Sequence, residues 1–119
     1  MRHRIKKTAK LGRKPDHRQL LLRNLATSLI LKGKIQTTAA KAKAVQAYLD
    51  RLIANIQLQK NEREIVRQLK SKLLDKQAQK KVLAELKQKY AERKSGFTRI
   101  TALGIRPGDG ATKVQIELV

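Results

Sequence analysis

The spacing of apolar residues changes once along this chain, and that change limits the fold more than any other feature. From about residue 16 to residue 93, apart from a short segment at 34–37, apolar side chains recur every three or four positions, which is the period of an amphipathic helix. Near the end of the chain, Val114, Ile116 and Leu118 alternate with Gln115 and Glu117, and a period of two is typical of a half-buried strand. Helical and strand periods in separate blocks predict an α+β fold.

The helical block is predicted to form about four helices. Gly33 is placed to end the first helix, and Thr38 can cap the second, which has the most regular apolar spacing. No Gly or Pro marks the junction near Asp75, so the spacing leaves open whether the third and fourth helices are separate. The predicted helices cover about 16–32, 39–58, 62–74 and 76–93.

Three short strands are predicted to form a small sheet. The segment 34–37 contains β-branched residues and lies between the first two helices. Residues 97–103 are rich in strand-forming residues, and with 114–118 they are predicted to make a hairpin around a loop at 104–110. Because two strands alone are marginal in water, segment 34–37 is expected to complete a three-stranded sheet that the helices cover.

The chain of 119 residues is long enough for one domain with a modest core. Aromatic residues are scarce, with two Tyr, one Phe and no Trp, so Leu, Ile, Val and Ala have to build that core. The first residues carry many bases and too few apolar groups to bury anything, and Gly12 and Pro15 punctuate their end. We therefore predict a basic extended arm at 1–15 and a single globular α+β domain at 16–119.

Net charge is the strongest indication of function. The sequence has 29 Lys and Arg against 9 Asp and Glu, which gives a net charge of +20. A free protein with this charge repels itself, so the surplus makes most sense if a polyanion neutralises it. Nucleic acid is the commonest polyanion inside cells, and the composition therefore predicts a nucleic-acid-binding protein.

Several other classes of protein are not favoured by the sequence. It has no cysteine, which excludes disulfides, thiol catalysis and thiolate zinc sites. No apolar run approaches the roughly 20 residues of a membrane span, and no apolar segment follows the basic start as it does in a secretory signal. A membrane-surface role is weak because the basic arm lacks an apolar face. We expect a cytosolic protein with no membrane partner.

Enzyme signals are nearly absent. The two histidines, His3 and His17, lie in or beside the basic arm, where contact with phosphate or solvent is more common than catalysis. Gly104, Gly108 and Gly110 do not have the order of a dinucleotide fingerprint, and we interpret them as turn residues. The sequence predicts no enzyme activity, no metal, no cofactor and no small-molecule substrate.

The bases most available to a polyanion lie in the arm and at the starts of the first two helices. Arg18 and Arg23 extend the basic stretch along the first helix, and Lys41 and Lys43 lie near the start of the second, where backbone N–H groups also favour phosphate. Aromatic residues are not interleaved with these bases, so contacts to backbone and shape are expected, which suits folded RNA. An architectural DNA-binding protein is the alternative, although no helix-turn-helix pattern or apolar wedge supports it. The arm bases are Arg2, Arg4, Lys6, Lys7, Lys10, Arg13 and Lys14.

Six short motifs occur in an order that resembles one known family. They are MRHR at 1–4, HR at 17–18, LLRNLATSLI at 21–30, IQTTAAKAKA at 35–44, SGFTRI at 95–100 and GDGATKVQIELV at 108–119. Each motif alone is modest, but the ordered set is specific and spans nearly the whole chain. The sequence therefore resembles the bacterial large-subunit ribosomal protein number seventeen family.

This resemblance implies a function, a location and further site residues. It implies an α+β structural protein that binds large-subunit ribosomal RNA near the polypeptide exit tunnel, beside neighbouring large-subunit ribosomal proteins. Such a protein supports assembly and translation in the cytoplasm, within the ribosome. Further candidate RNA-binding residues lie within or beside these motifs and add to the bases named above. They are His3, His17, Asn24, Lys34, Thr37, Thr38, Thr98, Arg99 and Arg106.

Overall fold

The change from helical to strand spacing is reproduced by the element order of the computed structural model, which describes residues 11–119. Residues 1–10 of the predicted arm lie outside the described residues, so the arm remains a prediction. The α+β fold and the three-stranded sheet are confirmed. The elements are α1 (Pro15–Lys32), β1 (Lys34–Thr38), α2 (Ala39–Leu58), α3 (Glu62–Lys72), a fourth helix α4 described below, β2 (Thr98–Ile105) and β3 (Thr112–Leu118).

The first two helices have almost the bounds that the sequence predicts. Gly33 ends α1 in the left-handed region, with φ of 80°, and its N–H donates to the carbonyl oxygen of Leu29 at 2.8 Å. Asp16 lies in the first turn of α1, where a carboxylate complements the helix dipole. Thr38 occupies the position before α2, as predicted, but its side chain makes no capping hydrogen bond.

The junction near Asp75 is a real break between two helices. Helix α3 ends at Lys72, two residues earlier than predicted, and Asp75 caps the next helix by accepting a hydrogen bond from the N–H of Gln77 at 2.8 Å. The buried hydroxyl of Thr27 in α1 accepts from the N–H of Leu74 at 3.1 Å. Side-chain hydrogen bonds, one of them from another helix, therefore satisfy the backbone where no Gly or Pro marks the break.

The fourth helix, α4, has three consecutive segments. It is α-helical over Lys76–Lys81, π-helical over Val82–Leu86 and α-helical again over Lys87–Lys89. The prediction that this helix continues to residue 93 is wrong, because regular helix ends at Lys89 and Tyr90 leaves helical geometry. Val82, Leu86 and Tyr90 are spaced four residues apart and are all buried, so this side of the helix packs on the core.

The sheet has the strand order β1-β3-β2, with both neighbouring pairs antiparallel. Ile35, Ile116 and Ile100 lie opposite one another across the three strands and face the helices. The predicted alternation in β3 is confirmed, because Val114 and Ile116 are buried. Strand β2 is longer than predicted: it continues to Ile105 beyond a register shift after Ala102, which leaves a shorter turn.

The end of α4 and the two last strands are joined through one aromatic pair. The rings of Tyr90 and Phe97 pack edge to face with centroids 5.1 Å apart, and both side chains are buried. The hydroxyl of Tyr90 donates to the carbonyl oxygen of Val119 at 2.8 Å, and the N–H of Val119 donates to the carbonyl oxygen of Phe97 at 3.0 Å. This arrangement fixes the sheet against the helical part of the molecule.

Candidate nucleic-acid interface

One face of the sheet packs on the helices, and the other, here called the outer sheet face, carries polar side chains. Residues opposite each other across antiparallel strands share a face, and successive residues of a strand alternate between faces. Because Ile35 and Ile116 face the core, their strand neighbours lie on the outer sheet face. This face carries Lys34, Gln36, Thr38, Arg99, Thr101, Lys113, Gln115 and Glu117.

The outer sheet face has more bases than acids. Glu117 lies opposite Lys34 on one side and Arg99 on the other, and its Oε1 forms an ion pair with Nη1 of Arg99 at 3.6 Å. Lys113 lies opposite Thr38, at the end of the sheet where α2 begins. All three aromatic residues are in the helix–sheet core or half-buried between helices, so this face offers cations, amides and hydroxyls without a stacking platform.

The start of α2 adds a second favourable environment for an anion. The first-turn N–H groups of this helix have no side-chain cap, and no acidic residue lies in the first turn. Lys41, which is half-buried, and Lys43, which is exposed, lie close to this positive end of the helix dipole. By contrast, the shorter helix α3 is capped by the side chain of Asn61, which accepts from the N–H of Arg63.

A cleft of about 200 Å³ brings several of the predicted residues together. Thr37, Thr38 and Arg106 line it with Lys113, a residue that the sequence analysis missed. The sequence did contain a signal for Lys113: the alternation that buries Val114 places its neighbour on the outer sheet face. Residues from β1 and from the end of the β2–β3 hairpin therefore meet here, although they are far apart in the sequence.

The predicted residues at the start of α1 form a separate group. Lys14 and His17 are exposed, and Arg18 is half-buried. Arg13 is also half-buried, and its Nη1 donates to the carbonyl oxygen of Leu11 at 2.6 Å. Lys14 stands at the position before α1 and provides no side-chain cap, so this helix, like α2, begins beside bases.

Some predicted residues are engaged within the protein. Arg23 is half-buried, and its Nη2 donates to the carbonyl oxygen of Lys70 at 3.5 Å, near the end of α3, whereas its neighbour Asn24 is exposed. Thr98 is only 7% exposed and its hydroxyl is buried, so its side chain faces the core. The structure describes none of the predicted arm residues Arg2, His3, Arg4, Lys6, Lys7 and Lys10.

Arg106 is bound to an acid at the turn of the β2–β3 hairpin. Its guanidinium makes two hydrogen bonds to the carboxylate of Asp109, one of them from Nε to Oδ1 at 3.1 Å. The same Oδ1 accepts a hydrogen bond from the N–H of Ala111 at 3.1 Å. The hydrogen bond from Arg106, followed by that from Ala111, lowers the pKa of Asp109 from 3.8 to about 2.

We expect Arg106→Gln to raise the pKa of Asp109 towards 3.8, its ordinary value. Since the folded-state pKa is depressed, the interaction stabilises the turn above about pH 4 and is lost as the pH falls through about 2. An NMR titration of the Asp109 carboxyl carbon measures this change. Arg99→Gln removes a base from β2 and should leave the titration of Asp109 unchanged. Equal midpoints in wild type and Arg106→Gln would contradict the assignment.

Within residues 11–119, no group of three or more His, Asp or Glu side chains is placed to hold a metal ion. None of the helices in this described part combines the length and apolar character that crossing a membrane requires. The fold and the candidate interface together define a small, strongly basic α+β protein that offers cations, hydroxyls and amides to a partner.

Comparison with known proteins identifies the family. Residues 21–119 match the family described as Ribosomal protein L17. The chain is 44% identical over 111 residues to the large ribosomal subunit protein bL17 of Carboxydothermus hydrogenoformans, which covers 92% of this chain and 96% of that protein. Identity is 44% over 119 residues with bL17 of Sulfurimonas denitrificans, and 100% of each chain is covered. With bL17 of Campylobacter lari it is 42%, covering 100% of this chain and 99% of that one.

The chain belongs to the ribosomal protein L17 family, a family of structural proteins of the large ribosomal subunit. The family resemblance drawn from the six motifs is therefore confirmed. The family match begins at residue 21, but relatives such as the Sulfurimonas denitrificans protein align over the whole chain, including the basic start.

Proposed function

We propose that this protein is a structural constituent of the large ribosomal subunit that binds large-subunit ribosomal RNA near the polypeptide exit tunnel. It acts in the cytoplasm, beside neighbouring large-subunit ribosomal proteins, and supports assembly of the particle and translation. Family membership supports this proposal, since the relatives are named as large ribosomal subunit proteins.

The observation that carries the RNA-binding part of the proposal is the surplus of cations. The chain has 29 Lys and Arg against 9 Asp and Glu. Within residues 11–119, the ion pairs involve three bases, Arg67, Arg99 and Arg106. Most of the positive charge is therefore not neutralised inside the described part of the protein, and a polyanion would offset its self-repulsion.

The mode of binding follows from what surrounds these cations. The outer sheet face and the start of α2 present lysines, hydroxyls and backbone N–H groups, and the start of α1 presents the bases Lys14 and Arg18. Such groups bind phosphates without reading base sequence. Recognition would rest on the shape of folded RNA, because exposed aromatic side chains for stacking are absent from residues 11–119. Contacts to about six to ten phosphates would weaken binding roughly 10³–10⁵-fold between 50 and 200 mM salt.

Sucrose-gradient sedimentation of a cell lysate that contains the tagged protein tests the proposal. We expect the protein to sediment with the large ribosomal subunit at moderate salt, because RNA and protein contacts hold it there. Treating the lysate with RNase should move the protein to the top of the gradient, whereas DNase should leave it in the subunit peak. Sedimentation away from the large subunit would contradict the proposed function, and release by DNase would favour an architectural DNA-binding protein.

A further inference from the structure

The turn of the β2–β3 hairpin differs from the rest of this basic protein. The segment 101–112, here called the hairpin tip, contains one base and one acid, whereas charged residues make up 32% of the whole chain. These two residues, Arg106 and Asp109, bind each other through two hydrogen bonds. The hairpin tip therefore has no net charge in a chain with a net charge of +20.

The hairpin tip also exposes large apolar side chains. Ile105 is 75% exposed and Leu103 is 45% exposed, and every residue from 101 to 110 is exposed. Both lie on the part of β2 that extends past Ala102, where the register with β3 shifts. Isolated exposed leucines are common on protein surfaces, but Leu103 and Ile105 lie two residues apart, beside a turn whose one base is paired with its one acid.

The turn that presents this surface is held in one conformation by its own hydrogen bonds. The N–H of Arg106 donates to the carbonyl oxygen of Ala111 at 2.8 Å, and the N–H of Gly110 donates to that of Arg106 at 3.1 Å. The carboxylate of Asp109 accepts from both the side chain of Arg106 and the backbone of Ala111. A surface that is already ordered loses little conformational entropy when it binds a partner.

We propose that the hairpin tip is a protein-docking surface, on which Leu103 and Ile105 pack against an uncharged apolar surface of a neighbouring protein of the large subunit. This inference rests on the proposed function and adds to it a division of the molecule. RNA contacts fall on the outer sheet face, including Lys113 opposite Gly104, and on the helix starts. The protein contact falls on Leu103 and Ile105, beside a turn whose one base is paired with Asp109.

Charge distinguishes this protein partner from two alternatives, an RNA and a second copy of this chain. Binding to a polyanion needs cations that neutralise its phosphates and so release the condensed counterions. The one base of the hairpin tip is already paired with Asp109. A second copy of this chain would bring another charge of +20 to the same place, which opposes self-association. Two apolar side chains cannot fill the roughly 800 Å² per partner of a standard stable interface, so they suit a contact inside an assembly that RNA already holds together.

The register shift in β2 defines how the partner docks. Strand β2 is an edge strand of the sheet, and an unbroken edge would accept another strand. The shift between Ala102 and Gly104, where Gly104 has φ of 129°, interrupts the regular ladder at this point. Docking therefore occurs through the side chains of Leu103 and Ile105 rather than through an added strand.

Photo-crosslinking in intact large subunits tests the inference. A benzophenone amino acid is placed at position 105 or, for comparison, at position 43, and the tagged protein is purified within large subunits by sucrose gradient before irradiation. We expect the probe at 105 to crosslink to a different protein of the subunit and the probe at 43 to crosslink to RNA. An RNA adduct at 105, or an adduct with a second copy of this chain, overturns the inference.

A pair of matched variants keeps the test independent of the crosslinking chemistry. Ile105→Glu should be lost from large subunits during a high-salt wash about tenfold more than wild type, while its affinity as free protein for large-subunit RNA stays within about twofold. Leu58→Glu adds the same charge at a leucine that is 80% exposed at the C-terminal end of α2, and this variant should be retained like wild type. Equal retention of the two variants overturns the docking surface. Absence of the wild-type protein from large subunits would instead overturn the proposed function, and the inference with it.

Discussion

Replacing Phe97 by alanine is expected to lower the free energy of unfolding by about 3–5 kcal/mol. The side chain is fully buried and packs edge to face on Tyr90 at 5.1 Å, so the substitution removes both apolar burial and the aromatic pair. The carbonyl oxygen of Phe97 also accepts from the N–H of Val119, and a cavity at this point loosens the join between α4 and β3. Urea denaturation monitored by circular dichroism, at fixed ionic strength, measures the change.

Two further variants separate the loss of packing from general effects of substitution. Phe97→Leu keeps most of the buried apolar surface and should cost less, about 1–2 kcal/mol, which remains measurable if the alanine variant does not fold. Leu58→Ala changes an 80% exposed side chain and should stay within about 0.5 kcal/mol of wild type. A loss below about 1 kcal/mol for Phe97→Ala would mean that this ring is not part of the core.

Replacing the five bases of residues 2–10 by glutamine should sharply weaken the salt dependence of RNA binding. If all five contact phosphates, the slope of log affinity against log salt should fall by about 3.5–4.5, since each contact contributes roughly 0.7–0.9. The reason is that each base neutralising a phosphate releases condensed counterions. Filter binding of the purified protein to large-subunit ribosomal RNA, between 50 and 200 mM salt, measures the slope. The five bases are Arg2, Arg4, Lys6, Lys7 and Lys10.

The control for this variant removes the same charge from the helical side of the molecule. Five exposed bases from the region of α3 and α4 are changed to glutamine instead, and we expect a much smaller change in slope because acids are interspersed among them. If both variants lose the same slope, net charge alone governs binding and the arm is not a specific anchor. The control positions are Lys60, Arg63, Lys76, Lys80 and Lys94.

The parts of the fold that local chemistry determines were predictable. Gly33 ends α1 because its positive φ suits glycine, and the regular apolar spacing gives α2 its observed bounds of Ala39–Leu58. Apolar spacing alone does not reveal the break between α3 and α4, because a hydrogen bond from another helix, through Thr27, helps to make it. The π-helical segment Val82–Leu86 also went unpredicted, since apolar residues four apart fit an α-helix as well.

The candidate interface was only partly predictable, because charge counting identifies bases but not their partners within the fold. Lys41 and Lys43 were placed correctly near a helix start, which follows from the bounds of α2 alone. The contact of Arg23 with the end of α3 depends on packing between residues far apart in the sequence. The burial of Thr98 depends on which face of β2 meets the helices, and that is fixed only once three strands are paired.

The pairing of β1 with β3 also has a consequence for the order in which we expect the molecule to fold. During synthesis β1 is made before α2, α3 and α4, whereas its partner strand follows β2. A growing chain therefore carries the unpaired backbone of β1 throughout the synthesis of the helical region. Helices and the β2–β3 hairpin form from local contacts, whereas joining β1 to β3 closes a long loop at an entropic cost. The first strand of the chain to be made is thus expected to be the last to enter the sheet.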